Sequence, residues 1–416
     1  MLKGYTRILD VIFAKLDVPD LKTSRLVCQD WADVGATFLG KRTLLGFNKL
    51  FSEPNFGEVS HVNDKLMRRV HMWVDCYKPI TSLEKNAEFF KKAFSELTKV
   101  SQLIREIHFV SMRNELVPVW LEGFRALGST KIQNITILCY QITLYTIPAE
   151  ALQKLPPQPG LTSVKCIIHS SFRETPRSPD IQALLQIWID SAPNLTTLDA
   201  MAFFYPNLEG CKNLKVLKFR LIPHHVNFGN AYLSHVTKML GQVKDSLIEL
   251  ELGNWLPQYG SMGEITVEEL PIMSKLTTLS IYAIDAYRFH GFFDEDHFPK
   301  LKTLSFHSGH LESPLITHLF YWRRHRGVQS LSLTVEFGEE REMEFSGIMI
   351  PLFPAVKEFD FVMKFNSIPA LSRILRPFRL WALERGNVLA KNVGQTSTFI
   401  RVLEAISACE GDKVSS

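Results

Sequence analysis

The sequence predicts an α/β protein: a short N-terminal three-helix unit followed by a solenoid with a parallel concave sheet and a mixed helical and irregular convex side. Three observations lead to this fold class. A short apolar pattern recurs along most of the chain, helical segments lie between several copies, and the first 40 residues carry broad apolar stripes outside the repeat. With 416 residues, 46% of them hydrophobic, the chain can bury a large core.

The recurring pattern is apolar-x-x-apolar-x-apolar, and each copy predicts a short strand whose last two apolar side chains point inward. Ten copies begin at Ile104, Ile132, Leu161, Leu195, Leu214, Leu247, Leu276, Leu301, Val328 and Val356. Their mean interval is 28 residues, and such a period with this pattern is typical of the leucine-rich repeat. A weaker eleventh copy spans residues 67–72.

Several segments between the copies have apolar residues at helical spacing. They span residues 119–127, 181–189, 232–243 and 315–322. No single repeat can bury its apolar face alone, so the copies are expected to stack. The 19-residue interval between Leu195 and Leu214 leaves no room for a helix, which predicts uneven curvature.

The opening stretch predicts three short helices. Its first stripe consists of Ile8, Leu9, Ile12, Phe13 and Leu16. Pro19 is expected to end this helix and Asp20 to cap the next one. Leu21, Leu26, Val27, Trp31 and Val34 supply the later helical surfaces. A unit of about 35 residues is too small for a comfortable core of its own, so part of this apolar surface is expected to bind a partner.

These residues, with their spacing, resemble an F-box, and the whole chain resembles the F-box and leucine-rich-repeat proteins. The resemblance implies an adaptor that docks on the Skp-type linker protein of a cullin-RING ubiquitin ligase, while the repeats hold a protein substrate for ubiquitination. It assigns the docking surface or its immediate support to Leu9, Phe13, Leu16, Pro19, Leu21, Val27 and Trp31.

The start of the motif departs from the family pattern. The family usually opens with Leu-Pro and often an acidic residue, whereas Gly4, Tyr5 and Arg7 stand at the matching positions. The departure predicts either weaker docking or a native start upstream of Met1. The alternative function is a leucine-rich-repeat scaffold that binds a protein and no longer recruits a ligase.

Alternation along the strands predicts which side chains line the concave face. The residues between the last two apolar positions of each pattern form one outward-facing row, which contains two cations and three carboxylates. This charge balance does not favour the binding of phosphate groups. The next row is richer in apolar and adaptable groups and suits a protein partner. The residues predicted to contact the substrate are Lys165, Met201, Lys218, Arg220, Tyr282 and His307.

Composition argues against several other classes of protein. The formal net charge of +4 is spread over 90 charged residues, so we expect no nucleic-acid partner. The six cysteines show no paired spacing and are expected to be reduced. No run approaches the length of a membrane span, and the start lacks a secretory signal. A soluble protein of the cytoplasm, the nucleus or both is expected.

Neither a cofactor nor an enzymatic activity is predicted. His290, Asp294, His297 and nearby residues include metal-ligand types without a recognised spacing, and the sequence contains no catalytic or phosphate-binding motif. No metal site is therefore expected, and the basic cluster at 323–326 is interpreted as a helix end.

The predicted boundaries follow from these assignments. Residues 1–40 form the F-box-like unit, 41–65 a connector, 66–408 the solenoid and 409–416 a disordered tail. Within the solenoid, residues 399–406 are apolar at helical spacing and are expected to cap its open end.

Overall fold

A computed structural model describes most of the repeat region and the N-terminal helices. The described residues are 2–46, 63–73, 83–110, 114–128, 130–139, 146–168, 179–202, 204–222, 231–254, 268–282, 289–290, 294–307, 319–320, 322–337, 345–365 and 376–392. The predicted cap at 399–406, the tail at 409–416 and most of the connector lie outside these ranges. Residues 2–6 are described by backbone only.

The described chain is an α/β structure with eight α-helices. They are α1 (Leu2–Lys15), α2 (Val18–Ser24), α3 (Gln29–Arg42), α4 (Leu83–Val100), α5 (Val117–Leu127), α6 (Pro179–Ser191), α7 (Ala231–Val243) and α8 (Phe345–Leu352). Three of the four helical segments predicted between the strands correspond to α5, α6 and α7. Of the fourth, at 315–322, only residues 319–320 and 322 are described.

Thirteen strands form one parallel sheet, and the fold class is therefore confirmed at the level of an α/β protein with a parallel sheet compatible with a solenoid. The strands are β1 (Leu45–Gly46), β2 (Arg69–Trp73), β3 (Glu106–Val110), β4 (Asn134–Cys139), β5 (Ser163–Ile168), β6 (Thr197–Ala202), β7 (Val216–Leu221), β8 (Glu249–Asn254), β10 (Thr278–Tyr282), β12 (Thr303–His307), β13 (Ser330–Phe337), β14 (Glu358–Phe365) and β15 (Arg385–Asn392). They lie side by side in chain order. Two short strands, β9 (Glu268–Glu269) and β11 (Phe289–His290), pair separately.

In each of the ten apolar patterns one strand begins at the third residue and runs past the end of the pattern, and β2 does the same in the weaker copy. The strands alternate because one face of the sheet is buried. In β3, for example, Ile107 and Phe109 are fully buried while His108 is half-buried. We call the face that carries His108 and its equivalents the polar face.

A repeated hydrogen-bond pattern aligns the strand starts. Two successive backbone N–H groups donate to one carbonyl at the start of the preceding strand. The N–H groups of Thr277 and Thr278 donate to the Ile248 carbonyl at 2.9 and 3.2 Å, and those of Lys302 and Thr303 donate to the Thr277 carbonyl at 3.0 Å each. The same arrangement recurs along the strands from β2 to β6 and from β7 to β15, so within each of these runs equivalent residues of successive strands occupy equivalent places.

The chain forms two compact units, residues 1–200 and 201–416, which divide within β6. In the first unit, α4 and α5 cover the buried face of the sheet with an aromatic cluster. Phe109 of β3 lies 5.0 Å from the ring of Trp120 and 5.5 Å from that of Phe124. In the second unit, Phe361 of β14 packs near Phe345 of α8.

The N-terminal helices have a small core of their own. Phe13, Leu21 and Leu39 are buried, and Trp31 meets Phe13 edge to face at 5.3 Å. Arg42 at the end of α3 donates hydrogen bonds to the Leu16 carbonyl and, at 2.6 Å, to the Ala14 carbonyl. These contacts hold α3 against the C-terminal end of α1, where the positive charge of Arg42 interacts favourably with the helix dipole.

The helix starts differ from the prediction in one respect. Asp17, and not Asp20, caps α2: its Oδ1 accepts the Asp20 backbone N–H at 2.8 Å. Pro19 lies in the first turn of α2, where its missing N–H leaves no hydrogen bond unmade. The predicted role of Asp20 as the cap was therefore wrong.

Candidate functional site

The polar face of the second unit holds a row of side chains from adjacent strands. Parallel pairing places Arg220 of β7 opposite Gly253 of β8, Gly253 opposite Tyr282 of β10, and Tyr282 opposite His307 of β12. We call these four residues the Tyr282 row. Lys218 stands in the neighbouring row, opposite Glu251.

Two ion pairs hold the basic end of this surface. Arg220 Nε donates to Glu251 Oε1 at 2.8 Å, and a second guanidinium nitrogen approaches the same oxygen. Lys218 Nζ lies 2.9 Å from Glu249 Oε1. The two cations are thus balanced by two carboxylates, so the surface is polar without a strong net charge.

The aromatic end of the row is flat. The rings of Tyr282 and His307 stack with centroids 4.2 Å apart and planes 5° from parallel. Burial, followed by the nearby Glu251 carboxylate, raises the pKa of Tyr282. The phenol is therefore neutral at physiological pH, and the row offers a ring surface beside a guanidinium.

Gly253 allows the two ends of the row to approach. A Cβ at this position would lie 3.0 Å from Arg220 Cγ and 3.4 Å from Tyr282 Cβ. Because glycine has no Cβ, the Arg220 side chain can lie close to the Gly253 backbone. Gly253 belongs to β8, which lies between the strands of Arg220 and Tyr282. Such a surface of planar groups and balanced charges suits contact with a protein partner.

The structure brings together four of the six predicted substrate-contact residues. Arg220, Tyr282 and His307 share the Tyr282 row, and Lys218 lies beside it. Lys165 belongs to the first unit, where its Nζ lies 2.8 Å from Asp199 Oδ2. Met201 is only 2% exposed because alternation fails at the end of β6, where the last three residues are all buried. Its prediction as a contact residue was therefore wrong.

The N-terminal helices divide the predicted docking residues into three groups. Leu9, Phe13 and Leu21 are buried, so they can only support a surface. Leu16 and Trp31 are half-buried against this core. Pro19 and Val27 are exposed and remain available for direct contact.

The exposed apolar groups of these helices are more numerous than the predicted contact set. In the turn between α2 and α3, Leu26 is 85% and Val27 is 63% exposed. On α1, Ile8, Val11 and Ile12 are also exposed, at 59%, 67% and 43%. The removal of large aliphatic side chains from water is favourable, so these five residues are candidates for contact with a docking partner. Val11 lies outside the stripe that sequence periodicity identified.

A second polar cluster lies on β2 and β3 in the first unit. Arg69 donates two hydrogen bonds to Glu106, at 2.7 and 3.0 Å, and His108 Nε2 contacts the same carboxylate. Burial alone would raise the pKa of Glu106, but hydrogen bonds from Arg69 and His108 outweigh it and lower the pKa. Burial and then the adjacent His108 lower the pKa of His71. The pairing of Glu106 could not be inferred from the apolar pattern.

No three His, Cys, Asp or Glu side chains of the described residues come together as a metal site would require. Asp294 instead accepts hydrogen bonds from both the backbone and the ring of His297, at 2.8 and 2.7 Å. Among the described helices, none is both long and apolar enough to cross a membrane.

No model of a known protein family matches the sequence, and no curated protein matches it either.

Proposed function

We propose that this protein is a substrate-recognition adaptor of a Skp/cullin/F-box-type ubiquitin ligase. In this function α1–α3 act as an F-box that docks on a Skp-type linker protein, and the strands act as leucine-rich repeats that hold a protein substrate. The observation that carries the proposal is the exposure of Leu26 and Val27. The N-terminal helices have a small core of their own, and these two side chains are not part of it.

The docking half of the proposal rests on surface chemistry. The five exposed aliphatic side chains of α1 and the α2–α3 turn belong to a three-helix unit whose core cluster has three buried residues among the side chains that the structure describes. Such a surface is costly to leave in water. A helical partner with a complementary apolar groove would remove it from water.

The substrate half rests on the polar face. Its side chains come from adjacent strands in one register and combine stacked rings with balanced ion pairs. Interfaces that recognise proteins favour aromatic and arginine side chains over uniform charge. The alternative is a scaffold that binds a protein by the same face and recruits no ligase, as the Gly4-Tyr5 departure from Leu-Pro would favour.

Co-expression with a Skp-type protein tests the docking step. We expect the parent chain to retain the linker in a pull-down, and the double variant Leu26→Ala/Val27→Ala to lose at least tenfold in affinity, since each 1.4 kcal/mol is a factor of ten. The matched control, Ile272→Ala/Leu380→Ala, removes two aliphatic groups that are also more than half exposed and should bind like the parent. A parent chain that retains no linker would favour the scaffold.

A further inference from the structure

The strands β7, β8, β10 and β12 are each preceded by a turn that carries an exposed lysine. Three of these turns close with the same hydrogen bond, from a buried leucine N–H to the carbonyl three residues earlier: Leu214 to Cys211 at 3.1 Å, Leu276 to Met273 at 3.2 Å and Leu301 to Phe298 at 3.0 Å. The turn before β8 is one residue longer. The lysines are Lys212, Lys244, Lys275 and Lys300.

Two further lysines strengthen this edge. Lys215 and Lys302 follow the turns before β7 and β12, are exposed, and use their backbone carbonyls to align the next strand. We call the six residues the lysine edge. Because β7, β8, β10 and β12 are consecutive in the sheet and neighbouring strands lie about 4.8 Å apart, the four turns span about 14 Å.

The lysine edge differs from the next turns in its charge balance. Arg326, in the turn before β13, is paired with Glu295 at 2.9 Å, and Lys357, before β14, with Glu384 at 2.7 Å. None of the six lysines has an ion pair with a residue that the structure describes. Among the carboxylates of 204–307 whose side-chain exposure the structure describes, which leaves out Glu268 and Glu269, those exposed and outside ion pairs are Glu209, Asp245 and Asp296.

We infer that the lysine edge binds an extended acidic segment of a partner protein. A peptide in extended conformation advances about 3.3 Å per residue, so the 14 Å edge matches a run of about five residues. Six exposed lysines against three exposed carboxylates, counted over the side chains whose exposure the structure describes, give the complementary charge. The inference does not depend on recruitment of a ligase.

An acidic peptide fits this edge better than a nucleic acid does. Proteins that bind single strands combine cations with aromatic side chains on which bases stack. In the turns before β7, β8, β10 and β12 the described residues include no exposed aromatic side chain, since Phe298 is fully buried.

Fluorescence anisotropy with the full chain tests the inference. The probe is a labelled peptide with five consecutive glutamates between Gly-Ser flanks, titrated at low salt. The variant Lys212→Gln/Lys244→Gln/Lys275→Gln/Lys300→Gln should bind at least tenfold more weakly than the parent. Rising salt should weaken the parent more than the variant, because screening removes the charge attraction.

A matched variant separates the edge from net charge. Lys15→Gln/Lys22→Gln/Lys91→Gln/Lys154→Gln removes four exposed lysines from the first unit and should bind the peptide within twofold of the parent. Equal losses in the two variants, no binding by the parent, or tighter binding of a five-nucleotide oligothymidylate than of the peptide would each overturn the inference. Surface Lys→Gln changes should leave the thermal unfolding of both variants like that of the parent.

Discussion

At the scale of single residues, Glu295 is the carboxylate whose ionisation the structure perturbs most clearly. Hydrogen bonds from the Arg326 side chain and from the Arg326 backbone N–H lower the pKa of Glu295 to about 2. The carboxylate thereby links the turn before β12 to the turn before β13. A carboxyl with a lowered pKa stabilises the folded state above its ordinary pKa, and this contribution is lost as the pH falls towards about 2.

The variant Glu295→Gln should therefore be less stable than the parent at pH 7, and the difference should shrink between about pH 4.5 and about pH 2. Urea unfolding of both chains at pH 7 and pH 3 measures it. Glu209→Gln removes an exposed carboxylate outside the ion pairs and is the matched control, whose stability at pH 7 should stay close to that of the parent. A gap between Glu295→Gln and the parent that stays constant with pH would contradict the role of the ion pair.

At the scale of elements, the N-terminal helices show how one apolar stretch serves two purposes. Leu21 is fully buried, while Val27, only six residues later, is largely exposed. Changes at the two positions should consequently have different effects, although both residues belong to the predicted docking set. A change at Leu21 should alter the stability of the three-helix unit, whereas a change at Val27 should alter only the surface available for binding.

Leu21→Ala should destabilise α1–α3 by about 2–5 kcal/mol, because it leaves a cavity against Phe13 and Leu39. Limited trypsin digestion should then cut faster at Lys22 and Arg25. Val27→Ala should leave the digestion rate unchanged and weaken only linker binding. Unchanged digestion of Leu21→Ala would show that this core is not a cooperative part of the fold.

The elements also show what sequence can and cannot predict. The apolar pattern identifies eleven of the thirteen strands in the large sheet because a buried face imposes alternation on them, whereas β1 and β15 carry no copy of it. Helix α4 was overlooked, although Phe89, Phe90, Ala93, Phe94 and Leu97 have the same stripe that identified α1. Asp17 and Asp20 flank the same proline, so composition alone could not decide between them as caps. The burial of Met201 departs from the alternation of its own strand, and the pairing of Arg220 with Glu251 joins strands that lie distant in sequence.

At the scale of the whole molecule, the strands of the large sheet lie in chain order, so each interior strand pairs only with the strands before and after it. Damage to one strand should therefore spread first to its immediate neighbours, as expected for a chain of nearest-neighbour contacts. The Leu279 side chain of β10 is fully buried and provides a suitable place for such damage.

Leu279→Ala should accelerate amide hydrogen exchange in β8, β10 and β12 and leave β3 and β4 close to the parent rates. Exchange followed by mass spectrometry resolves these segments. Ser280→Ala, at the adjacent half-buried position of the polar face, is the control and should change none of them. A uniform acceleration across β3 to β14 would mean that the sheet opens as one unit.

The same strand order has a consequence for synthesis. A new strand of the large sheet always pairs with one that has already left the ribosome, and the register is set by a carbonyl in the strand just made, such as that of Ile248 for Thr277 and Thr278. No strand must wait for a distant partner, so the loop that each pairing closes is short and its entropic cost is low. Translation can thus lay down the sheet from β1 onward, each finished strand serving as the template for the next.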